Sequence, residues 1–347
     1  MKELLAAPPY SNRNDDDLLR ALVSLSAEQL SGCPEYRRVW PDWSGADKFD
    51  ELPWLHVGVF KHLELRTHFD GVHYERTLKS SATSSGVSSL IVLDRDSSEL
   101  QSMSSLAILR DFVGGEIRPL LVLDSAKSLR VRGHLSARVA AALSLKPLAS
   151  EIHFLLEDPE DARSMQWDKL EALLDRFDDL LVYGFTWILW MAWSAEIPER
   201  IRSKLTGKRI QFVHSGGWKK LEDRKIERQE FDRTLLMDLS PDSRVVDYYG
   251  LVEQVGIIYP LCEYGYRHVP AWAHVIVRDP YTLQPLLNQP GQLQLLNALA
   301  RGAPYHNVLT EDVGKIIEGP CPCNRSGPKF ELIGRIPKAE LRGCANV

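Results

Sequence analysis

A loop rich in hydroxyl side chains is the stretch of the sequence best suited to chemistry. Between Lys79 and Ser89 it carries seven hydroxyl side chains, the lysine and Gly86, and the apolar run 90–93 follows at once. Backbone N–H groups, hydroxyls and one positive charge are what is needed to hold phosphate oxygens. The same composition is typical of a flexible serine-rich linker. This window alone therefore leaves two interpretations, a phosphate loop and a linker.

Three later loops follow predicted strands and carry residues suited to a nucleotide. Gly216 and Gly217 would let a flat ring approach the backbone closely. Tyr249 offers an aromatic face for stacking, and Glu253 offers a carboxylate that can hold a hard cation. Asp312 supplies an acid suited to the hydroxyls of a ribose. The order of these loops along the chain is more informative than any one of them.

Four residues in the C-terminal third offer ligands for a metal ion. Cys262, His268, Cys321 and Cys323 provide three thiolates and one imidazole, a set that suits a closed tetrahedral zinc site. In the alternative interpretation, Cys321 and Cys323 lie at the edge of a proline-containing turn and Cys262 fills the core. The chain has five cysteines, and its first residues lack an apolar segment long enough for a secretory signal. We therefore expect a cytoplasmic protein with reduced thiols.

The elements that must position these loops alternate between helix and strand. This alternation indicates an α/β fold with a parallel or mixed sheet, whose ligands bind at the carboxyl ends of the strands. Beyond residue 208 the sequence predicts more strands than helices. The predicted helices cover residues 15–30, 97–112, 133–145 and 161–177, and the predicted strands cover residues 119–124, 152–156, 210–214, 245–249, 274–278 and 292–296.

Composition excludes two classes of protein. The formal net charge is −5 and basic residues are scattered among acids, which argues against a nucleic acid as the main partner. The most apolar uncharged segment, residues 180–195, is shorter than the roughly 20 residues that a membrane span needs. We expect this segment to be a buried helix, and the helical signal continues to residue 205.

Taken in order, the motifs resemble the acyl-adenylating (ANL) superfamily of acyl-CoA ligases, synthetase adenylation domains and luciferases. The sequence is most similar to the acyl-protein synthetase (LuxE-like) branch, a component of bacterial fatty acid reductase, near the phenylacetate-CoA ligases. The resemblance covers residues 30–347. The segments particular to that branch are 53–61, 79–85 with the strand up to residue 94, 216–220 and 334–344.

The resemblance implies a large N-terminal adenylating domain with mixed and parallel sheets, flanking helices and a smaller strand-rich lobe. The C-terminal lobe is expected to be truncated. The expected regions are an N-terminal helical region (1–60), an α/β sublobe with the phosphate loop (61–207), a strand-rich sublobe with the adenine and ribose motifs (208–335) and a tail carrying Cys344 (336–347).

The resemblance also implies a role for each motif in the binding of ATP and Mg²⁺. Gly216 and Gly217 would line the adenine and Tyr249 would stack on it. Glu253 would hold Mg²⁺. The residues implied for the phosphates are Lys79, Ser80, Ser81, Thr83, Ser84 and Ser85, and those implied for the ribose are Asp312 and Arg335.

The sequence departs from the family pattern in two places. Ala82 stands where the phosphate loop of the family usually has glycine. The chain ends at Val347, shortly after Arg335, so the lobe that carries the adenylation lysine in full-length ligases is expected to be missing. Another cation must then support the chemistry, and the candidates are Lys79, Lys219, Lys220 and Arg342.

Cys344 matches the cysteine near the C-terminus that is thought to accept the acyl group in LuxE-like proteins. At about 3.3 Å per extended residue, the tail from Arg335 to Cys344 could reach roughly 30 Å. An ordinary thiol is only a few per cent thiolate at neutral pH, and the nearby Arg342 could raise that fraction. The alternative is an incidental cysteine in the tail.

Two further features would bear on the acid substrate. The aromatic residues between Tyr183 and Trp193 could line a slot for an acyl chain or a ring, or belong to an ordinary core. His214 could orient the carboxylate or be a structural histidine.

Related phenylacetate-type ligases carry a Cys/His set similar to Cys262, His268, Cys321 and Cys323. This resemblance favours structural zinc at these residues.

The sequence thus predicts a cytoplasmic, ATP-dependent acyl-protein synthetase that converts a carboxylic (fatty) acid to acyl-AMP. The acyl group would pass to Cys344, to a partner such as an acyl-CoA-reductase-like subunit, or to an acyl carrier. The first alternative is a phenylacetate-type acid-CoA ligase. The second is a non-catalytic partner subunit of an acyl reductase complex, which Ala82 and the missing lysine lobe favour.

Overall fold

The computed structural model describes residues 5–80, 88–130, 135–194, 197–218 and 226–336. The longest helices begin where side chains cap the first turn. Helix α1 (Asp15–Gly32) follows Asn14, whose side chain accepts a hydrogen bond from the Asp16 N–H at 3.0 Å. The further helices are α2 (Pro34–Val39), α3 (Arg95–Val113), α4 (Ala137–Ser144), α5 (Trp167–Leu174), α6 (Thr186–Leu189), α7 (Glu199–Leu205) and α8 (Arg228–Leu235).

The strands form three sheets in the described parts of the chain. In chain order they are β1 (Leu55–His56), β2 (Tyr74–Lys79), β3 (Leu90–Asp94), β4 (Arg118–Val122), β5 (Leu135–Ser136), β6 (Ala149–Phe154), β7 (Asp179–Phe185), β8 (Arg209–Ser215), β9 (Arg244–Tyr249), β10 (Tyr259–Pro260), β11 (Arg267–His268), β12 (Ala273–Arg278), β13 (Gly291–Asn297), β14 (Asn307–Ile317) and β15 (Lys329–Arg335).

The first sheet is mainly parallel and has the order β10-β9-β8-β7-β4-β6. Its central strands β7 and β8 are almost wholly buried, as expected for strands with both faces covered. Strands β8 and β9 run parallel, with Ser215 opposite Tyr248. The loops that follow these two strands therefore leave the same edge of the sheet side by side, which is where α/β proteins bind ligands.

The second sheet is mainly antiparallel and has the order β11-β15-β14-β13-β12, with the short β1 parallel to β14. Its longest strand, β14, pairs with β15 so that Asp312 lies opposite Arg335. A register shift between Val313 and Gly314 interrupts this pairing close to Asp312. Such bulges bend a strand and re-aim its side chains, often beside functional sites.

The third sheet, in the order β3-β2-β5, carries the base of the predicted phosphate loop. Strands β2 and β3 are antiparallel, with Lys79 opposite Leu90. Just beyond the last pair, the Ser80 N–H donates to the Ser89 carbonyl at 3.1 Å, and the Ser89 N–H donates to Ser80 Oγ at 2.8 Å. These bonds join the two ends of the serine-rich loop, whose residues 81–87 lie outside the described parts of the chain.

The segment expected to be one buried helix over residues 180–205 is not a single helix, and that prediction is wrong. Its first part is strand β7, followed by α6, a π-helix at Trp190–Ser194 and α7. A short continuous apolar run fits a strand buried on both faces as well as a buried helix, because periodicity does not separate the two.

Two predicted helices start later than the sequence indicated. Before α5, Asp161 accepts from the Arg163 N–H, so this aspartate forms a turn where a helix was expected. Before α4, residues 135–136 pair with β2 as strand β5. The first sheet also continues across the expected boundary between residues 207 and 208, since β7 and β8 pair along their whole lengths.

Along the described parts of the chain, we find no helix with the length and apolarity that crossing a membrane requires.

Candidate functional site

A cavity of about 810 Å³ opens where the three sheets meet. Its walls come from the base of the serine-rich loop, from α3 and α4, from the loops after β8 and β9, and from β14 and β15. The cavity therefore collects motifs that are far apart in the sequence. The predicted site residues among its lining residues are Ser80, Gly216, Gly217, Glu253, Asp312 and Arg335.

Tyr249, Asp312 and Arg335 form one hydrogen-bonded group, which we call the Asp312 cluster. The Tyr249 hydroxyl donates to Asp312 Oδ2 at 2.8 Å, and Arg335 Nε donates to Asp312 Oδ1 at 3.1 Å. The Asp312 N–H donates to Thr310 Oγ1 at 3.0 Å, which fixes the backbone of β14 beside its register shift. Asp312 is buried, so its carboxylate is held in one orientation at the cavity wall.

Tyr249 is placed differently from the stacking position expected for it. Its ring packs against Tyr259 and Phe330, with ring centroids 6.0 and 6.3 Å away. The preceding residue, Tyr248, lines the cavity instead. Burial, together with the Asp312 charge, raises the pKa of Tyr249 well above its ordinary value. Tyr249 is therefore a permanent hydrogen-bond donor to Asp312.

Glu253 is a buried carboxylate on the 3₁₀ helix Val252–Gln254. Burial raises its pKa, while a hydrogen bond from Ser89 and the charge of Lys61 act in the opposite direction. Ser89 closes the base of the serine-rich loop, so the carboxylate lies directly beside the predicted phosphate position. A buried carboxylate in this place is suited to a hard cation such as Mg²⁺.

Lys61 is a site residue that the sequence analysis did not single out. It ends the 3₁₀ helix Val57–Lys61 and lines the cavity. Lys79, which the sequence suggested as the supporting cation, lies exposed at the end of β2 and is not among the cavity lining residues. In the sequence, only the position of Lys61 could have pointed to it. Lys61 is the last residue of segment 53–61, which is one of the segments particular to the LuxE-like branch.

His214 lies beneath the glycine loop rather than in the cavity wall. The Thr186 hydroxyl donates to the Gly216 carbonyl at 2.6 Å, and its oxygen lies 2.9 Å from His214 Nδ1. Burial lowers the pKa of His214 to about 4, so the ring is neutral at physiological pH. Within the described chain, its Nε2 has no hydrogen-bond partner. This arrangement supports Gly216 through Thr186 and does not bring His214 to a substrate.

The aromatic segment 183–193 divides between the cavity and the core. Phe185 lines the cavity, whereas Trp193 packs edge to face on Phe212 with the ring centroids 5.4 Å apart. Trp190 stacks on Phe231 at 5.9 Å, in the same hydrophobic core. Most of this segment therefore belongs to the packing beneath the first sheet.

Several predicted residues lie outside the described parts of the chain, and their roles stay predictions. They are Ser81, Ala82, Thr83, Ser84 and Ser85 of the serine-rich loop, and Lys219, Lys220, Arg342 and Cys344.

A second group, the Cys–His cluster, consists of Cys262, His268, Cys321 and Cys323. Its four ligand atoms all lie within 4.8 Å of one another, with Cys323 Sγ 3.1 Å from His268 Nε2 and Cys262 Sγ 3.9 Å from Cys321 Sγ. Tetrahedral zinc with Zn–S bonds near 2.3 Å places its sulfur ligands about 3.7 Å apart. The donor set and its spacing fit zinc.

Two features of His268 suit a metal ligand. Burial lowers its pKa to about 4, with Arg325 and Lys329 acting in the same direction, so the imidazole is neutral. Its Nε2 faces the thiols of the cluster, 3.1 Å from Cys323 Sγ. The cluster bridges β11 and the turn between β14 and β15, so a metal there would fasten the end of the hairpin that carries Asp312 and Arg335.

Comparison of the sequence with known proteins identifies the family that its motifs resemble. A family model described as "Acyl-protein synthetase, LuxE" matches residues 35–347. A long-chain-fatty-acid–luciferin-component ligase of Aliivibrio fischeri is 25% identical over 300 residues, covering 85% of this chain and 77% of that protein. The ligase of the same name from Vibrio harveyi is 23% identical over 302 residues, covering 86% and 78%.

Solved structures show where the fold belongs. An open conformation of 2-hydroxyisobutyryl-CoA ligase in complex with 2-HIB-AMP and CoA superposes with a TM-score of 0.68 at 14% identity, over 93% of this chain and 75% of that one. The inhibitor-bound N-terminal domain of FACL13 from Mycobacterium tuberculosis gives a TM-score of 0.51 at 14% identity, over 78% and 63%. The predicted α/β fold of the adenylate-forming enzymes is confirmed.

Proposed function

The chain belongs to the LuxE acyl-protein synthetase family, and from this premise we propose that it activates a carboxylic acid with ATP and passes the acyl group to a thiol. The carboxylate oxygen of the acid would attack the α-phosphorus of ATP, and the bond to the β-phosphate oxygen would break to release pyrophosphate. A thiolate would then attack the acyl carbon and expel AMP. The observation that carries this proposal is the convergence of the Asp312 cluster, Glu253 and Lys61 on one cavity.

Each wall of the cavity has a task in this reaction. Asp312, held by Tyr249 and Arg335, would accept hydrogen bonds from the ribose hydroxyls. Ser80, at the base of the serine-rich loop, and the hydroxyls that follow it would bind the phosphate oxygens of ATP. Mg²⁺ held by Glu253 would neutralise charge that develops on the phosphates.

Lys61 would supply the cation that the C-terminal lobe provides in full-length ligases. It lies in the same cavity wall as Glu253 and acts electrostatically on that carboxylate. A cation there would stabilise the charge that accumulates on the oxygens around the α-phosphorus, and such stabilisation is a large term in phosphate chemistry. Lys61 is thus the first cation to test, ahead of the exposed Lys79.

The first test is ATP–pyrophosphate exchange with a panel of carboxylic acids. We expect exchange with at least one fatty acid in the absence of CoA, because the proposed family reaction needs no free CoA for its first step. Asp312→Asn should reduce exchange about tenfold or more, whereas Asp42→Asn, which removes an exposed carboxylate, should not. If AMP forms only when CoA is present, the acid-CoA ligase is the better assignment. If no acid supports pyrophosphate exchange or AMP formation, with or without CoA, the enzyme assignment fails.

Cys344 is proposed as the acyl acceptor because the described cysteines are poor candidates. Cys33 is buried with an exposed fraction of 0%, and the other three belong to the Cys–His cluster. We expect hydroxylamine-labile acyl labelling of the wild type and of Cys33→Ser, and none of Cys344→Ser. Undiminished labelling of Cys344→Ser would refute the assignment. Transfer to an added acyl-CoA-reductase-like subunit or acyl carrier would identify the onward partner.

A structural zinc ion is proposed for the Cys–His cluster. Three thiolates and one neutral imidazole at the observed spacing support it. Elemental analysis of protein purified without chelators should give about one zinc per chain. Cys323→Ser should lower the zinc content and the melting temperature, while Cys33→Ser, the loss of a buried thiol elsewhere, should keep the zinc. Absence of zinc from the wild type would remove the proposal.

The name of the relatives supports a long-chain fatty acid as the substrate class, and the cytoplasm is proposed as the location.

A further inference from the structure

A buried lysine lies beside the Cys–His cluster. Lys329, on β15, has an exposed fraction of 2%. It stands directly opposite His268 in the antiparallel pairing of β15 with β11. Residues that are directly opposite in such a pair place their side chains on the same face of the sheet. The lysine and the imidazole of the cluster therefore share one face.

The ammonium group of this lysine is held against the turn that carries two of the cysteines. Lys329 Nζ donates to the carbonyls of Ile317 at 3.3 Å and of Glu318 at 3.2 Å. It also donates to the carbonyl of Gly319. Gly319 is two residues before Cys321, a span of roughly 7 Å for a fully extended chain. The positive charge is therefore fixed close to the thiols of this turn.

The same ammonium group contacts the other segment that supplies metal ligands. Lys329 Nζ is 5.6 Å from the centroid of the Tyr266 ring, within the range of a cation–π contact. The Tyr266 carbonyl accepts from the Cys262 N–H at 2.9 Å, and Tyr266 is two residues before His268. The lysine therefore contacts both segments of the chain that form the cluster.

No described carboxylate neutralises this buried charge. Within the ranges that the structure describes, Lys329 forms no ion pair, and the carboxylates of Asp111 and Glu263 pair with Arg325 at 2.6 and 3.4 Å. Three carbonyls satisfy the three N–H donors of the ammonium group but carry no net charge. A buried charge is costly unless an opposite charge compensates it. The protein groups around Lys329 therefore leave its positive charge uncompensated.

The Cys–His cluster would supply the opposite charge when it holds zinc. Three thiolates outweigh the two positive charges of Zn²⁺, and the imidazole is neutral, so such a centre carries a net charge of −1. This negative charge would lie on the face of the sheet that carries the ammonium group of Lys329.

Resting on the zinc site proposed above, we propose that Lys329 is the counter-charge of an anionic metal centre with three thiolates. The ammonium group donates to backbone carbonyls, so it acts through its charge and not as a ligand. Its charge would stabilise the three deprotonated cysteines together, where a neutral side chain would leave the negative centre buried without compensation. Lys329 is thus a positioning residue that raises the affinity of the cluster for the metal ion.

The test measures the zinc affinity of the full chain by competition with a chromophoric chelator. Lys329→Gln removes the charge but keeps N–H donors for the turn, and we expect it to bind zinc about 10- to 100-fold more weakly than the wild type. Lys329→Arg keeps the charge and should recover most of the affinity. Lys208→Gln is the matched control, because Lys208 also donates to a backbone carbonyl, that of Leu174, but has Asp178 as its anion. Its zinc affinity should equal that of the wild type.

Melting temperatures separate a counter-charge from a lysine that only braces the turn. With zinc bound, Lys329→Gln should melt at a lower temperature than the wild type. After a chelator has removed the zinc, it should melt at the same temperature or a higher one, because the substitution removes a buried charge that nothing then neutralises. An equal decrease in both states would show that Lys329 only braces the turn, and would overturn the proposal. Lys329→Met, which also lacks the charge, serves the same comparison if Lys329→Gln does not fold.

A change of ligand gives a second test of the charge. Cys323→His would leave two thiolates and two imidazoles around Zn²⁺, a centre with no net charge. In that background Lys329→Gln should weaken zinc binding by only about twofold or less, because the two substitutions act on the same interaction. If the full loss of affinity persists, the charge of the centre is not its cause and the proposal is overturned. The absorption spectrum of the cobalt-loaded protein would show that each variant still holds the metal in tetrahedral geometry.

The outcomes separate this inference from the proposed zinc site and from the proposed reaction. If the wild type binds zinc and Lys329→Gln binds it equally well, the counter-charge is refuted and the zinc site stands. If the wild type binds no zinc, the zinc site and the counter-charge both fail. The activation of an acid with ATP is tested separately by pyrophosphate exchange, so it stands or falls independently of either result.

Discussion

The Asp312 cluster gives the sharpest prediction, because one atom can be removed from it without changing its packing. Tyr249→Phe deletes the hydroxyl that donates to Asp312 Oδ2 at 2.8 Å. The ring would remain stacked on Tyr259 and packed edge to face against Phe330. If Asp312 binds the ribose, the change should loosen the carboxylate and weaken the binding of ATP.

The size of the effect follows from the contacts. A hydrogen bond to a charged group contributes about 1.5–3 kcal/mol, and about 1.4 kcal/mol is a factor of ten. Complete loss of the bond would therefore weaken ATP binding about 10- to 150-fold. Arg335 still holds Asp312 Oδ1 at 3.1 Å, so the carboxylate is not left without a partner. We therefore expect the lower end of that range, about tenfold.

The assay is ATP–pyrophosphate exchange as a function of ATP concentration. Because the ribose is bound alike in the ground state and the transition state, the KM for ATP should rise while kcat changes little. Tyr259→Phe is the matched control, since the buried hydroxyl of Tyr259 has no hydrogen-bond partner in the described chain. If Tyr249→Phe keeps a KM for ATP within twofold of the wild type, Asp312 is not the ribose ligand.

Three further predictions use the same reasoning. Lys61→Met should lower kcat for exchange about 10- to 100-fold, and Lys79→Met, which removes an exposed lysine outside the cavity lining, should lower it far less. Gly265→Ala should lower the unfolding free energy, measured in urea, by about 1–2 kcal/mol, because its backbone is left-handed. Gly256→Ala should lower it by about 1–3 kcal/mol more than Gly265→Ala does, because the added Cβ would also collide with α3. The lowered pKa of His214, about 4 in the folded state against about 6.5 unfolded, contributes stability above pH 6.5 that is lost as pH falls towards 4; His214→Asn should reduce the slope of unfolding free energy against pH by about 1.4 kcal/mol per pH unit.

Local composition was enough to predict a loop before strand β3 and the loops that follow strands β8 and β9. The loop from Lys79 to Ser89 lies between antiparallel strands, and the loops after β8 and β9 emerge together because those strands are parallel. Composition was not enough for β7. Strands buried on both faces lack alternation, so the segment from Leu180 to Phe185 has the same apolar pattern as a buried helix.

Long-range packing decided which side chains reach the cavity, and the sequence could not show it. Tyr249 has the residue type expected for stacking, yet its ring turns towards Tyr259 and only its hydroxyl serves the site. Lys61 and Glu253 line the same cavity although almost two hundred residues separate them in the chain.

The hairpin of β14 and β15 connects the two sites of the molecule. Asp312 and Arg335 face each other near its open end, while Ile317 and Lys329 pair near the turn that carries Cys321 and Cys323. A slip of one residue in this pairing would turn the Arg335 side chain to the opposite face of the sheet. A metal at the Cys–His cluster, by tying that turn to Cys262 and His268, would fix the register from the far end. Removing zinc from the folded protein should then raise the KM for ATP as well as lower the melting temperature. A zinc-free protein that melts earlier but binds ATP normally would show that the register is held by the strands alone.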